Sequence, residues 1–362
     1  MKKYILLIIS VLLIDLILSS LILKKTKFWV NSSWENKWWR ISSQVYHHKI
    51  LPNIKKKEKW GGKIERELIT NSIGFRDKEV RKIEKVNLDK KRILLIGDSF
   101  IEGVGLNYEN TISGLLDEYL KDDYEVLNSA VGSYSPSIYY KKTKHYLDQG
   151  YKFDQALIFL DVSDIFDELF IQFDEKGEIK NFTETKNREL FKNYLYKIGR
   201  FLRDNTVTFR FLGLISDKTE VLKNYTKLKF KAASELDKKF FSTNRDDVMF
   251  YRMTHIDRGY WTFNDEMFLY VDKGLKQSEK YLIKLFNLLE KNKIPSTLII
   301  YPWPTQIFYG DKYHEEYWFN FAKKQNIEFL SMYKYFKSNN PKQMIFDTFL
   351  YGDIHWNKTG TK

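Results

Sequence analysis

From residue 92 onward, short apolar runs alternate with helical patterns, which predicts parallel strands joined by crossover helices. The β-type runs are Arg92–Ile96, Glu125–Asn128, Ala156–Leu160, Ser296–Tyr301 and Ile327–Ser331. Helical spacing of apolar residues marks approximately Thr111–Leu120, Ser137–Leu147, Leu275–Lys291 and His314–Lys324. In the third of these, Leu282, Leu285, Leu288 and Leu289 form one apolar face. The expected architecture is a three-layer α/β/α sandwich around a parallel sheet.

The alternation fails between Asp164 and Gly274, where a long charged and aromatic stretch takes its place. It is too long for a simple connection, so a mostly helical insertion is expected at about 165–274. Placed after a central strand, it suits a lid or substrate wall. Tyr260, Trp261 and Phe263 fit either stacking on a sugar ring or packing in a core.

Tyr4–Leu23 is a different pattern: twenty residues, fifteen of them Leu, Ile or Val. As a helix it spans about 30 Å, the thickness of a bilayer core. Asp15 opposes insertion by about 2.5–3.5 kcal/mol, and the aliphatic residues outweigh it. A poor small-x-small site followed by Lys24-Lys25 argues against a cleaved signal peptide. Residues 1–23 are therefore read as a single-pass transmembrane anchor held by membrane lipid. Lys2 and Lys3 balance Lys24, Lys25 and Lys27, so charge leaves the orientation open. The expectation is a catalytic domain outside the cytoplasm. Trp34, Trp38, Ile41 and Val45 then recur at helical spacing, as in an interfacial helix or a helix packed on the domain.

The chain carries a net charge of +13, and its distribution decides what that means. Residues 24–92 hold 20 Lys and Arg against 8 Asp and Glu, which leaves residues 93–362 neutral. A basic segment at 24–91, beside an apolar terminus, suits anionic headgroups or an acidic polymer better than nucleic acid. The domain at 92–362 carries no such field. With no cysteine, disulfides, thiolate nucleophiles and Cys-bound zinc are excluded.

Candidate chemistry lies at the two ends of this domain. Gly97-Asp98-Ser99-Phe100 follows the first strand directly, and Asp353-Ile354-His355-Trp356-Asn357 lies near the end of the given sequence. A serine hydroxyl is a weak nucleophile at neutral pH, needing a base within hydrogen-bond reach and a third group to orient that base. Ser99, His355 and Asp353 supply that set. A strand ending in a small-residue turn also leaves its next side chain at the carboxyl edge of the sheet, where α/β proteins bind ligands. Asp353 and His355 are two apart, so in an extended segment they point to one side, and Asn357 is placed to cap a helix near Lys358.

Other polar clusters are weaker. Asp161, Asp164, Asp167 and Glu168 read as a strand end and a solvated helix start, with a metal or carboxylate-pair site as the rival. His47-His48 has no third ligand nearby, and His145, His255 and His314 have no partner at ligand spacing. No metal and no cofactor are expected.

Taken together, these residues resemble the SGNH/GDSL hydrolase superfamily from about residue 90 to the end. The blocks are Gly97-Asp98-Ser99, then Asn128-Ser129-Ala130-Val131-Gly132-Ser133, then Asp161-Val162-Ser163-Asp164, and last Asp353-Ile354-His355. The resemblance implies a flavodoxin-like sheet, attack of Ser99 on an ester carbonyl and an acyl-enzyme. It also implies an oxyanion site from the amides of Ser99 and of Gly132 or Ser133, with the third-block asparagine replaced by Ser163. The Asp-x-His-Trp form is similar to proteins that O-acetylate alginate and related exopolysaccharides. Tyr46-His47-His48, Thr70–Asp77 and Ile300-Tyr301-Pro302-Trp303-Pro304 are similar to stretches of membrane-anchored members from bacterial surface-polysaccharide loci. The chain stops at Lys362, short of the helix usual there, which suggests a truncated sequence.

The function expected is a membrane-anchored O-acyl esterase or O-acyltransferase acting on an acylated glycan, alongside other polysaccharide-assembly proteins. The alternative is a catalytically degenerate scaffold for glycan assembly, suggested by Ser163 and the altered last block.

Overall fold

The computed structural model describes residues 39–60, 64–171, 245–263 and 265–362, with a few isolated positions near residues 10–19 and 206–208. Residues 32–182 and 243–362 form one compact unit; 1–31 and 183–242 form another, which lies almost wholly outside the described residues.

At the centre of the larger unit is a five-stranded parallel sheet. Its strands are β5 (Lys91–Ile96), β6 (Tyr124–Asn128), β7 (Gln155–Leu160), β8 (Ser296–Ile300) and β9 (Glu328–Ser331), in the order β6-β5-β7-β8-β9. The inner strands are continuous apolar runs because both of their faces are covered; Leu95, Ile158 and Leu298 have no solvent exposure to speak of. The chain steps from β5 to β6 on one side and then crosses to β7 on the other. That reversal opens a crevice at the carboxyl end of β5, where doubly wound sheets bind ligands.

The crossover helices follow the predicted pattern, with α2 at Ile112–Tyr119, α3 at Pro136–Asp148 and α7 at Tyr313–Lys324. One prediction was short. The helix starting at Leu275 in the sequence reading begins at Asp265 and runs 27 residues to Lys291 as α6. It packs on α3 and on α4 (Asp164–Phe170). The described ends of the expected insertion are helical, α4 on one side and α5 (Arg245–Thr254) on the other; its middle lies outside the described residues. Trp261 is buried and donates its indole N–H to the Val162 carbonyl at 2.8 Å, which is a core role. Phe263 remains exposed.

The described part of the basic segment before the sheet, from residue 39, is structured. It forms two antiparallel hairpins, β1 (Arg40–Ser43) with β2 (His47–Ile50) and β3 (Lys55–Trp60) with β4 (Ile64–Ile69). The helical spacing of Trp34, Trp38, Ile41 and Val45 is not realised where it is described: Ile41 is in β1 and Val45 in the following turn, while Trp34 and Trp38 lie outside the described residues. Four apolar residues match a helical period by chance when tertiary pairing favours a hairpin. The segment's arginines are largely spent inside the protein. Arg40 and Arg66 pair with Glu102, Arg66 also with Glu58, Arg81 with Asp77 and Glu125, and Arg92 with Glu125. The outward charge is lysine.

Of the predicted membrane helix, only Ser10, Ile14, Asp15, Leu16, Leu18 and Ser19 are described, all in helical conformation. Among the described residues no helix is long and apolar enough to cross a membrane.

Candidate active site

Strand β5 ends at Ile96, and the chain turns through Gly97 and Asp98 into the one-turn helix α1 (Ser99–Glu102). The turn demands glycine at 97, since a Cβ there would lie 2.7 Å from the Ile101 side chain. Asp98 caps α1, its Oδ1 accepting the Phe100 N–H at 3.0 Å. At the other end Gly103 takes the left-handed conformation, with φ of 73°, that terminates so short a helix. Ser99 is thereby held at the carboxyl edge of the sheet.

His355 arrives from the far end of the chain. Phe349 and Trp356 form an antiparallel bridge, and the Leu350 N–H donates to the His355 carbonyl at 2.8 Å. Trp356 fixes the loop from below, buried against Phe100 and Tyr301 with ring centroids 4.9 and 4.6 Å away. The imidazole then meets Ser99: Nε2 is 2.8 Å from Oγ. Its Nδ1 is 2.5 Å from Asp353 Oδ1, which as a carboxylate oxygen accepts, so Nδ1 carries the proton and Nε2 faces the hydroxyl as a base.

Asp353 and His355 do not cooperate through an extended segment, as the spacing suggested. Residues 351–355 are a turn, and the same Oδ1 also accepts the His355 main-chain N–H at 3.1 Å. This is an Asx-type turn, which brings two residues to one side as an extended chain would. Burial alone would raise the Asp353 carboxyl, but hydrogen bonds from His355 and from Trp60 hold it at about 2. It stays ionised.

Asp98 is the second neighbour of Ser99. Its Oδ2 lies 3.0 Å from Ser99 Oγ, so the single hydroxyl proton has two acceptors within reach. Burial, reinforced by nearby Asp161, pushes the Asp98 carboxyl up to about 7. In its neutral form Asp98 can donate to Oγ and leave the serine proton to His355.

Beneath it, Asp98, Asp161 and Asp164 converge, one oxygen of each within 4.8 Å of the others, all fully buried. The expectation of a solvated helix start is therefore corrected for Asp161 and Asp164, and Glu168 is buried too. Asp161 accepts the amides of Ser163 and Asp164 and the Trp303 indole; Asp164 accepts the Tyr139 hydroxyl. These three are the described acids with the spacing to hold a cation, but protein N–H and O–H donors already occupy all but one of their oxygens, Asp164 Oδ1. The donors make buried acids tolerable, and burial raises both carboxyls, that of Asp164 well above the usual range.

The second-block loop lies beside the nucleophile, with Gly132 so close that a Cβ on it would be 3.4 Å from the Ser99 Cβ. Its main-chain N–H is not available to an oxyanion, because it donates to Glu102 Oε2 at 2.8 Å. That corrects Gly132 as a donor. Ser133 is exposed and left-handed, with φ of 62°. Ser163 is buried at the start of α4, its N–H donating to Asp161 at 2.6 Å.

Sequence reasoning missed four participants. Glu102, buried in α1, binds the guanidiniums of Arg40 and Arg66 as well as Gly132. Arg76 is fully buried and donates to the carbonyls of Glu102, Gly103 and Leu106, clamping the end of α1. His48 Nε2 is 2.8 Å from the Gly132 carbonyl and must donate to it, which steadies the same loop from its other side. Trp60 donates its indole N–H to Asp353 Oδ2 at 2.8 Å. His48 and Arg76 lie within the stretches Tyr46-His47-His48 and Thr70–Asp77 noted in the sequence, which marked the segments but not these roles, and nothing in the sequence marked Glu102 or Trp60.

Neither a protein-family model nor a curated protein sequence matches this chain. Solved structures do. The chain is similar to AlinE4, described as an SGNH-hydrolase family esterase, at 13% identity over 67% of this chain and 77% of that one, with a TM-score of 0.31. It is similar to TesA at 12% identity over 75% and 92%, with a TM-score of 0.35. The esterase EstA from Pseudoalteromonas sp., whose structure is inhibited by monoethylphosphonate, matches at 11% over 75% and 91%, with a TM-score of 0.33. Likeness at this level carries no functional argument; the site's own geometry does.

Proposed function

We propose that this protein is a serine-dependent O-acyl ester hydrolase or O-acyltransferase for a cell-surface glycan, anchored in a membrane through Tyr4–Leu23. The observation that carries the chemistry is the continuous chain from Ser99 Oγ through His355 to Asp353, at 2.8 and 2.5 Å. In this reading His355 Nε2 takes the Ser99 proton as Oγ attacks the ester carbonyl. It then delivers that proton to the departing alcohol oxygen, leaving an acyl group on Ser99. Water or a sugar hydroxyl, deprotonated by the same imidazole, completes the cycle.

The oxyanion falls to the main-chain amides of Ser99 and Ser133, with Ser163 in the place of the family asparagine. A hydroxyl has one donor where an amide has two, and the loss of one oxyanion donor costs about 2.7–4 kcal/mol in the transition state. Either the Ser163 hydroxyl supplies that donor or turnover is slow. The glycan and the membrane anchor rest on the resemblance of the motif blocks and on the apolar N-terminus.

A fluorophosphonate probe should label the wild type and not Ser99→Ala. Turnover of p-nitrophenyl acetate should fall by on the order of 10³-fold or more in Ser99→Ala and His355→Ala. Equal rates in all three proteins would leave only the scaffold reading. Acetyl content of the surface polysaccharide in a deletion strain separates the two enzymes, rising for an esterase and falling for a transferase.

A further inference from the structure

We infer that Trp60, supplied by the hairpin that precedes the α/β domain, is a positioning residue for the triad; this rests on the reading of Ser99 as nucleophile. The Asp353 carboxylate has two oxygens, and His355 engages only Oδ1. Held at one oxygen, the group is free to rock about its Cβ–Cγ bond and carry the imidazole with it. The Trp60 indole N–H closes that freedom at Oδ2, 2.8 Å away. Indole nitrogen is a donor only, so it serves the ionised acid and cannot take the imidazole's proton. The same ring stands edge-on to His355, 85° between planes and 5.1 Å between centroids, and so limits the tilt of the base as well.

The hairpin has the mechanical support such a role needs. Trp60 ends β3 and pairs with Ile64 on β4. Two residues further on, the Arg66 guanidinium is buried and reaches Glu102 Oε1 at 2.7 Å and the Gly103 carbonyl at 2.8 Å, at the end of the helix that begins with Ser99. One hairpin thus grips the nucleophile's helix with Arg66 and the acid with Trp60, bracing two ends of the triad that are 254 positions apart in sequence. A small rotation of the acid is felt at the base, since aligned hydrogen bonds weaken steeply with angle.

The test is a double-mutant cycle on the full-length protein with p-nitrophenyl acetate. Trp60→Phe keeps an aromatic ring but removes the N–H and part of the indole, and the Asp353→Ala background separates the lost donor from the lost packing. The expected result is a fall in kcat of about tenfold with KM within twofold, partly restored by Trp60→His, which returns an N–H donor to a ring side chain. In an Asp353→Ala background the same Trp60→Phe change should alter kcat less than twofold, because its target is gone. Wild-type kcat in Trp60→Phe, with Ser99→Ala inactive, would overturn the role of Trp60 and leave the triad standing. An equal loss in both backgrounds would make Trp60 merely a packing residue. Ser99→Ala turning over like wild type would remove the triad reading and this inference together.

Discussion

The Glu102 carboxylate accepts the Gly132 main-chain N–H at 2.8 Å, tying the helix that carries Ser99 to the loop beside it. Burial on its own would raise that carboxyl, but Arg40 and Arg66 override it and hold Glu102 well below the usual range. The pair fixes the spacing of nucleophile and loop, and it removes from the oxyanion site a donor that the motif alone assigns to it.

Glu102→Ala leaves Arg40 and Arg66 with Glu58 as their shared acid and strands the Gly132 amide. Breaking a buried ion cluster by removing one partner costs about 3–5 kcal/mol. Urea unfolding should show a loss of that size, with Arg40→Ala milder because its side chain is one-fifth exposed. A loss below about 1 kcal/mol would mean that Glu58 alone can hold both arginines.

Asp353→Asn leaves one oxygen to serve both His355 and Trp60. If the amide group turns toward the imidazole, Nδ1 must accept, the proton moves to Nε2 and the base is lost. The expected fall in kcat is on the order of 10³- to 10⁴-fold with little change in KM, as for other triads with the wrong tautomer. Steady-state kinetics on the folded variant decides it; a fall under tenfold would sink the assignment of Asp353.

Asp98→Asn tests the second neighbour of Ser99. Because burial raises the Asp98 carboxyl to about 7, its proton favours the folded state. The stabilising effect of that proton is fully present below the unfolded value of 3.8 and is lost as pH rises through about 7. Asparagine mimics the neutral acid at every pH. Its stability advantage over wild type should therefore grow between pH 4 and pH 8, by up to about 4 kcal/mol. The Asp98 charge also helps to raise the carboxyls of Asp164 and Asp167, so the difference reports the buried acid cluster as a unit. Chemical denaturation at several pH values gives the curve, and a pH-independent difference would show that Asp98 is ionised throughout.

How much of this was legible in the sequence depends on how far each residue's partner lies along the chain. Ile93–Ile96, Ile158–Leu160 and Leu298–Ile300 announce themselves as buried strands, because covering both faces of a strand requires an apolar side chain at nearly every position. The pairing of a Ser after one such strand with an Asp-x-His at the end was legible as chemistry, since few other residue types can make a serine hydroxyl nucleophilic. The hairpins at 40–69 were not legible. A run such as Lys55-Lys56-Lys57-Glu58-Lys59-Trp60 shows no apolar face, and its place is set by Glu58 meeting Arg66 across the hairpin and by Arg66 meeting Glu102. Asp161 and Asp164 likewise read as solvated acids until Trp303, Tyr139 and main-chain amides are brought to them.

The sequence by itself therefore determined the sheet's strands and the chemical identity of Ser99, His355 and Asp353, because burial and nucleophilicity are properties of local pattern and residue type. Only the tertiary structure decided which amide Glu102 consumes, which acids are buried beside Ser99 and that a tryptophan from the basic segment holds Asp353. Those are hydrogen bonds between distant positions, and a polar side chain carries no mark of the partner that folding will bring to it.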